Sequence, residues 1–323
     1  MYPLTLQRLA AESVVELCAD LEAATPYSAE RVRTWLESLF GQVALEDVFM
    51  RVDAYPLLLF PWWLEASVGE PDPSRHRDLS TSSISGYLYI RLIDNLMDGD
   101  APADVGMLPA LSILHTRFTD PLRQWFSPNH PFWEDFRTIW FETAEVTMRD
   151  FALTSIDRGQ FEAITARKTG AAKIPIAAAA HAIGRPDLLL DWNPFVDRFG
   201  CWHQMMNDLF GWQKDLRNGA ITYVQSEGRR VTKSPESLQQ WFVGAGFNWA
   251  LAQLEEWMAD IRDLARPIGS PDLLSYLDKR QMLLDDRVAN VRSGLAALAE
   301  LETFVNLGEA EARPSLDRTD RVT

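Results

Sequence analysis

The feature that most narrows the fold of this chain is its helical periodicity. Apolar residues recur every three to four positions over residues 4–24, 28–41, 78–99, 131–156, 192–218, 234–266 and 271–304. Two apolar runs, "YPLLLFPWWL" and "IPIAAAAHAIG", read as buried helices. Between these segments fall the breakers "GEPDPSRH", "GDAPADVG", "FSPNHP", "IGRPD", "SEGRRVTKSP" and "RPIGSPD". No run of strands stands out, and neither a linker nor an internal repeat divides the chain. The pattern predicts an all-α fold: one helical domain over residues 1–307 and a polar, disordered tail over 308–323.

Charge sets the next limit. The chain has 323 residues and a formal net charge of −15, which argues against nucleic acid and anionic membranes as partners. An acidic protein that handles an anionic substrate needs divalent cations in between. The two cysteines, Cys18 and Cys201, suggest neither a disulfide framework nor a thiolate metal cage. No apolar run reaches the roughly 20 residues that span a bilayer. The opening "MYPLTLQRLAAESVVELCADLEAA" lacks the basic start and apolar core of a signal peptide, so a cytoplasmic protein is expected.

Three stretches depart from ordinary helix chemistry. The first is "RLIDNLMDGD", Arg91 to Asp100. Asp94 and Asp98 are four residues apart and repel each other on one helix face. Apolar neighbours make that face a poor match for open solvent, so the pair calls for a cation. The second is "HQMMNDLFGWQKDLRNG". Asn207, Gly211 and Asp215 lie at i, i+4 and i+8, so they are expected to share one face, where Asn207 and Asp215 offer the hard oxygen ligands that Mg²⁺ prefers. Asp208 and Lys214 flank them. Gly211 leaves space on that face at a cost of roughly 1 kcal/mol of helix stability. The third is "ARKTGAAKIPIAAAA", in which Arg167 and Lys168 precede a helix break, with Arg158 ten residues upstream of Lys168. Such cations suit a phosphate group. Each stretch has a plainer reading as well. Paired acids commonly sit on solvated faces, and Lys–Asp neighbours on a helix are often mere surface pairs.

Together the three stretches resemble the class I isoprenoid synthases. "DNLMD" resembles the aspartate-rich motif of that superfamily, with Asn95 in its second position. "KTG" resembles the Lys-Thr-Gly segment of trans-prenyl diphosphate synthases. "QMMNDLFGWQKD" is similar both to the second acidic motif of those enzymes and to the metal motif of class I terpene synthases. The resemblance spans roughly residues 80 to 225. It implies a helical bundle around a central apolar cavity, with three Mg²⁺ ions bridging two acidic helices to a substrate diphosphate. Asp94, Asp98, Asn207 and Asp215 would then be catalytic metal ligands, with Asp208 added if the prenyltransferase register applies. Lys168, Arg158, Arg167 and Lys214 would bind the diphosphate. Arg229 and Arg230, expected in a loop after the second motif, would close over it. Tyr87, Tyr89, Phe210 and Trp202 would line the cavity.

"DGDAPADVGMLPAL" after the first motif holds no arginine, so the basic half of a second diphosphate site is missing. The expected reaction therefore uses one substrate. A geranyl, farnesyl or geranylgeranyl diphosphate is ionised, and the allylic cation cyclises to a terpene hydrocarbon or alcohol. Two alternatives stand: a trans-prenyltransferase, by elongation or head-to-head condensation, and a helical binding protein that kept the fold and lost the metals. Oligomeric state is open, although the superfamily commonly forms helix-packed dimers, which makes a homodimer a candidate assembly.

Overall fold

A computed structural model of the chain describes residues 2–41 and 43–311. Among them there is no strand, and the fold is all-α. The helices are α1 (Leu4–Ala24), α2 (Pro26–Phe40), α3 (Leu45–Met50), α4 (Leu59–Val68), α5 (Pro73–Asp98), α6 (Leu108–Trp125) and α7 (Phe132–Phe151). They continue with α8 (Arg158–Lys168), α9 (Lys173–Ala182), α10 (Leu189–Asn218), α11 (Tyr223–Val231), α12 (Pro235–Trp241), α13 (Phe247–Ile268) and α14 (Pro271–Glu311). Short 3-10 turns and one π-helical segment, Phe242–Gly246, join some of them. The chain forms one large compact unit, Met1–Tyr276, and a second unit begins at Leu277. No described helix is long and apolar enough to cross a membrane.

Two helices organise the large unit. α5 packs against α1 and α6, and α10 packs against α13, α8 and α9. The buried stripe of α10 runs Trp192, Phe195, Val196, Phe199, Trp202, Met205 and Leu209, at the spacing that keeps apolar side chains on one side of a helix. Phe60 of α4 meets Trp192, Phe195 and Phe199 edge to face, with ring centroids 5.8–6.1 Å apart. α9 is buried on nearly every side and is built from alanines, so its neighbours approach its backbone closely.

Several boundaries differ from the sequence expectation. α5 starts at Pro73 because Asp72 caps it, accepting from the Ser74 amide at 2.9 Å, while proline suits the first helical turn. α6 has a regular buried stripe of Ala110, Leu114, Phe118 and Leu122 that the pattern reading passes over; Pro109 falls in the first turn, where proline costs least, and Pro121 lies inside the helix. The long segment over 234–266 divides into α12, the π segment and α13. The breaker "SEGRRVTKSP" is half helix, since α11 runs to Val231 before the Ser234 cap opens α12. α14 extends past residue 308 to Glu311, so the expected tail begins inside a helix; residues 312–323 lie outside the described residues.

Candidate metal and diphosphate site

Asp94 and Asp98 occupy the last turn of α5. The helix stops at Gly99, which takes a left-handed φ of 69° and donates its amide to the Asn95 carbonyl. A helix carries partial negative charge at its C-terminus, so acids there are unfavourable, and no basic residue occupies this last turn. Arg91 Nη1 lies 3.1 Å from Asp94 Oδ2 and compensates in part. Asp98 reaches solvent, yet partial burial, and then the charges of Asp94 and Asp100, push its carboxyl up against the opposing pull of Lys168 and Arg91.

Asn95 points elsewhere. It is 2% exposed. Its Oδ1 accepts from Trp35 Nε1 and its Nδ2 donates to Asp100 Oδ2, both at 3.1 Å. An aspartate could accept from Trp35 but could not donate to Asp100, and it would add another negative charge. The asparagine in the motif's second position is therefore an anchor between α2 and the end of α5.

On α10 the two candidate ligand registers differ in helical angle and in burial. Asp208 and Asp215 are seven residues apart, about 20° from eclipsed at 3.6 residues per turn, whereas Asn207 and Asp215 diverge by about 80°. Asp208 is buried and Asn207 is exposed. Gln204 Nε2 donates to Asp208 Oδ1 at 2.8 Å. Burial, joined by the charges of Asp215 and Asp150, pushes the Asp208 carboxyl up to about 7 despite Gln204 and a backbone donor at Tyr223. Burial also pushes the Asp215 carboxyl up, opposed by Lys214. The space at Gly211 is not open: a Cβ there would lie 3.5 Å from Asp215 Oδ2, so the aspartate's own carboxylate covers it. α10, like α5, ends on a left-handed glycine, Gly219, one turn after Asp215.

Lys168 closes α8 and leads into a 3-10 turn, Thr169–Ala172. Close packing fixes this break. The Thr143 hydroxyl of α7 lies 2.8 Å from the carbonyls of both Ile139 and Arg167. A Cβ on Gly200 of α10 would collide with Thr169 Oγ1, so only glycine lets the two segments approach so closely. Lys168 Nζ lies 2.7 Å from Asp150 Oδ2 of α7. Burial opposes charge on the lysine, but Asp150, and beyond it Asp94 and Asp98, push its pKa up.

The charges form one chain. Asp94 and Asp98 act on Lys168, Lys168 pairs with Asp150, Asp150 acts on Asp208, and Asp208 is coupled to Asp215. The structure thus brings the three unusual stretches together. Asp150, which the sequence reading missed, links the second and third stretches, touching Lys168 and acting on Asp208. Nothing in "TMRDF" marks it; its only signal is the distance to Lys168.

Other expected residues lie apart. Arg158, about 15 Å along α8 from Lys168 at 1.5 Å per residue, is bound to Glu256 at 2.6 Å and Glu162 at 2.9 Å. Its guanidinium also sits 5.6 Å from the Trp257 ring. Arg167 is exposed, near Glu142 at 3.9 Å and the Ala163 carbonyl at 3.2 Å. It lines a cleft of about 380 Å³ between α7 and α8. Arg229 and Arg230 are in the last turns of α11 rather than in a loop, facing Gln225 at 3.2 Å and Glu227 at 3.0 Å. A second cleft of about 280 Å³ lies beside Asp72, Arg75, Asp78 and Trp125. Neither cleft is lined by the acidic ends of α5 and α10. Of the expected cavity rings, Tyr87 packs on Phe49 at 5.2 Å and is close enough to feel Arg91 and Asp94. Tyr89 packs on Trp140 at 5.5 Å and Phe210 faces Phe247 at 6.4 Å. Trp202 is fully buried beside Phe199.

The donor chemistry of the acidic ends fits Mg²⁺. The ligands are hard carboxylate oxygens: Asp94 and Asp98 stand at the negative end of α5, where no basic residue occupies the last turn, and Asp215 near the end of α10 with Asp208 two turns before it. Among the described residues, no three His, Cys, Asp or Glu side chains are grouped to hold a metal unaided. Mg²⁺ commonly binds through one or two carboxylates and completes its shell with water and substrate phosphate. The chain matches no known family model, and no curated protein matches it.

Proposed function

We propose that this chain is a Mg²⁺-dependent class I terpene synthase, which ionises a linear prenyl diphosphate and cyclises the allylic cation. The observation that carries the reading is the 2.7 Å ion pair of Lys168 with Asp150, which lies within the charge of Asp94 and Asp98 on one side and of Asp208 on the other. Asp94 and Asp98 would hold Mg²⁺ on one side, and Asp208 and Asp215 on the other. When bound, the metal supplies Lewis-acid neutralisation of the departing pyrophosphate. Lys168 supplies a fixed positive charge and ammonium donors to the phosphate oxygens. Lys214, beside Asp215, adds a second cation to that side. Gly99 ends α5 directly after Asp98, and Gly219 ends α10 one turn after Asp215. The surrounding rings, Tyr87 nearest the first motif, would exclude water and present π faces to the cation. Catalysis here is mainly electrostatic placement, because breaking the carbon–oxygen bond separates charge.

The burial of Asp208, rather than Asn207, on the face shared with Asp215 also suits the prenyltransferase register. Chain elongation is therefore the second reading. The test is incubation with Mg²⁺ and geranyl, farnesyl or geranylgeranyl diphosphate, each with and without isopentenyl diphosphate. Products are identified by mass spectrometry and pyrophosphate release is measured, with Asp94→Ala as control. A cyclic product from one diphosphate, abolished in the variant, is the expected result. A longer diphosphate that forms only with isopentenyl diphosphate would establish the elongation reading. No Mg²⁺-dependent pyrophosphate release from any substrate would overturn both and leave the binding-protein reading.

A further inference from the structure

The charge of Lys168 is felt by acids of α5, and its ammonium meets Asp150 of α7. Three carboxylates compete for it: Asp150, in direct contact at 2.7 Å, and Asp94 and Asp98, which act on it through space. Its four-carbon side chain swings freely unless held. If it fell onto Asp94 or Asp98, it would occupy the oxygens that a divalent cation needs. Asp150 is well placed to prevent this. Its own neighbour in sequence, Arg149, points away and bonds Glu145 at 2.8 Å, so Asp150 is not drawn off by it. The lysine's backbone is meanwhile clamped through the Arg167 carbonyl and the Thr169–Gly200 contact.

We propose that Asp150 is a positioning residue that holds the Lys168 ammonium away from Asp94 and Asp98, keeping that pair open to divalent cations and the lysine available to the diphosphate. This rests on the reading of the acidic ends as a Mg²⁺–diphosphate site. In Asp150→Ala the lysine is released towards the α5 acids and acts as an internal competitor of the metal. In a chain that also carries Lys168→Met there is no competitor, and removing Asp150 has no further effect by that route.

The experiment is a calorimetric titration of the full chain with Mg²⁺ at saturating inorganic pyrophosphate, with thermal unfolding in the absence of Mg²⁺ run alongside. Asp150→Ala is expected to weaken Mg²⁺ binding about 10-fold, the scale of losing a residue that orients a ligand. Asp150→Asn, which keeps the shape and loses the charge, is expected to weaken it similarly and serves if the alanine variant does not fold. Asp150→Glu restores binding to near the wild-type value. Lys168→Met and the double variant Lys168→Met/Asp150→Ala are expected to bind Mg²⁺ equally, which marks the two residues as coupled. A folded Asp150→Ala that binds Mg²⁺ like wild type would overturn the positioning role while leaving the site itself standing. So would an equal loss in the presence and absence of Lys168. A wild-type chain with no Mg²⁺ response to pyrophosphate would overturn the site, and with it this inference.

Discussion

The two ends of α5 treat carboxylates in opposite ways. At its start, the buried Glu65 of α4 meets Arg75 Nη1 at 2.9 Å, His76 Nε2 at 3.4 Å and the Asp72 amide at 3.1 Å. Glu65 is 2% exposed, and burial alone would raise its pKa; His76, Arg75 and the Asp72 amide outweigh that and hold the carboxyl below its usual range. It also lies by the positive end of the helix. At the other end, Asp94, Asp98 and Asp100 crowd the negative end with Arg91 and Lys168 of α8 as counter-charges, and burial, then the neighbouring acids, push Asp98 up. One end is a structural anchor whose charges are answered within the chain. The other leaves its charge only partly answered within the chain, as the proposed metal site would require.

The strongest way to break this contrast is at the anchor. Glu65→Ala leaves the buried His76 without its partner and Arg75 with only Asp72 at 3.7 Å, and is expected to cost about 3–5 kcal/mol by urea unfolding at pH 7. The pH dependence follows from the sign of the shift. A carboxyl held low in the folded state contributes stability above its ordinary range, and that contribution disappears as pH falls through the folded value. The gap between wild type and Glu65→Gln should therefore narrow below about pH 4. A gap that widened in acid would contradict the anchor.

At the opposite end, Asp98→Ala is expected to lower Mg²⁺-dependent pyrophosphate release about 100-fold, close to 3 kcal/mol of barrier. Its thermal midpoint without Mg²⁺ should hold or rise, because an unfavourable acid leaves a helix C-terminus. A clear loss of stability would make Asp98 structural, like Glu65, and erase the contrast.

Asp208→Asn sharpens it within α10. A carboxyl whose folded value is raised to about 7 makes the folded chain lose stability as pH climbs from the ordinary carboxylate range through neutrality. The amide removes that penalty, so the variant should be more stable than wild type by about 1–3 kcal/mol at pH 8 and no more stable at pH 4. Equal stability at both pH values would mean that Asp208 is ionised at no cost. The smallest effect is expected at Gly211→Ala. It meets Asp215 Oδ2 only at ordinary contact distance, and should stabilise α10 by about 0.5–1 kcal/mol in thermal unfolding. A destabilised variant would show that the Asp215 carboxylate needs the space.

Much of the fold was legible because it rests on local signals. The periodicity of α1, α10 and α14 and the glycines at 99, 184, 219 and 269 act within a few residues, so the chain announces them directly. α6 and α11 were missed where prolines, or a Gly-Arg-Arg run, imitate a break that packing overrides. The acids of α5 and α10 and Lys168 were found because each sits oddly in its own helix. Their relation was not legible. The seven-residue step that pairs Asp208 with Asp215 is plain on a helical wheel, but which face is buried depends on what packs there. Arg158 looked like a phosphate ligand by charge, and the structure gives it to Glu256, which lies 98 residues away.

The sequence by itself determined the helices, their breaks and the presence of three misplaced groups of charge, since backbone propensity and local repulsion need no distant partner. Only the tertiary structure decided that Asn95 is an anchor, that Asp208 turns inward, and that Asp150 meets Lys168 from 18 residues away. Those outcomes depend on which helices pack together. That choice is made by burying side chains against distant partners, so it leaves little trace near the residues whose chemistry it sets.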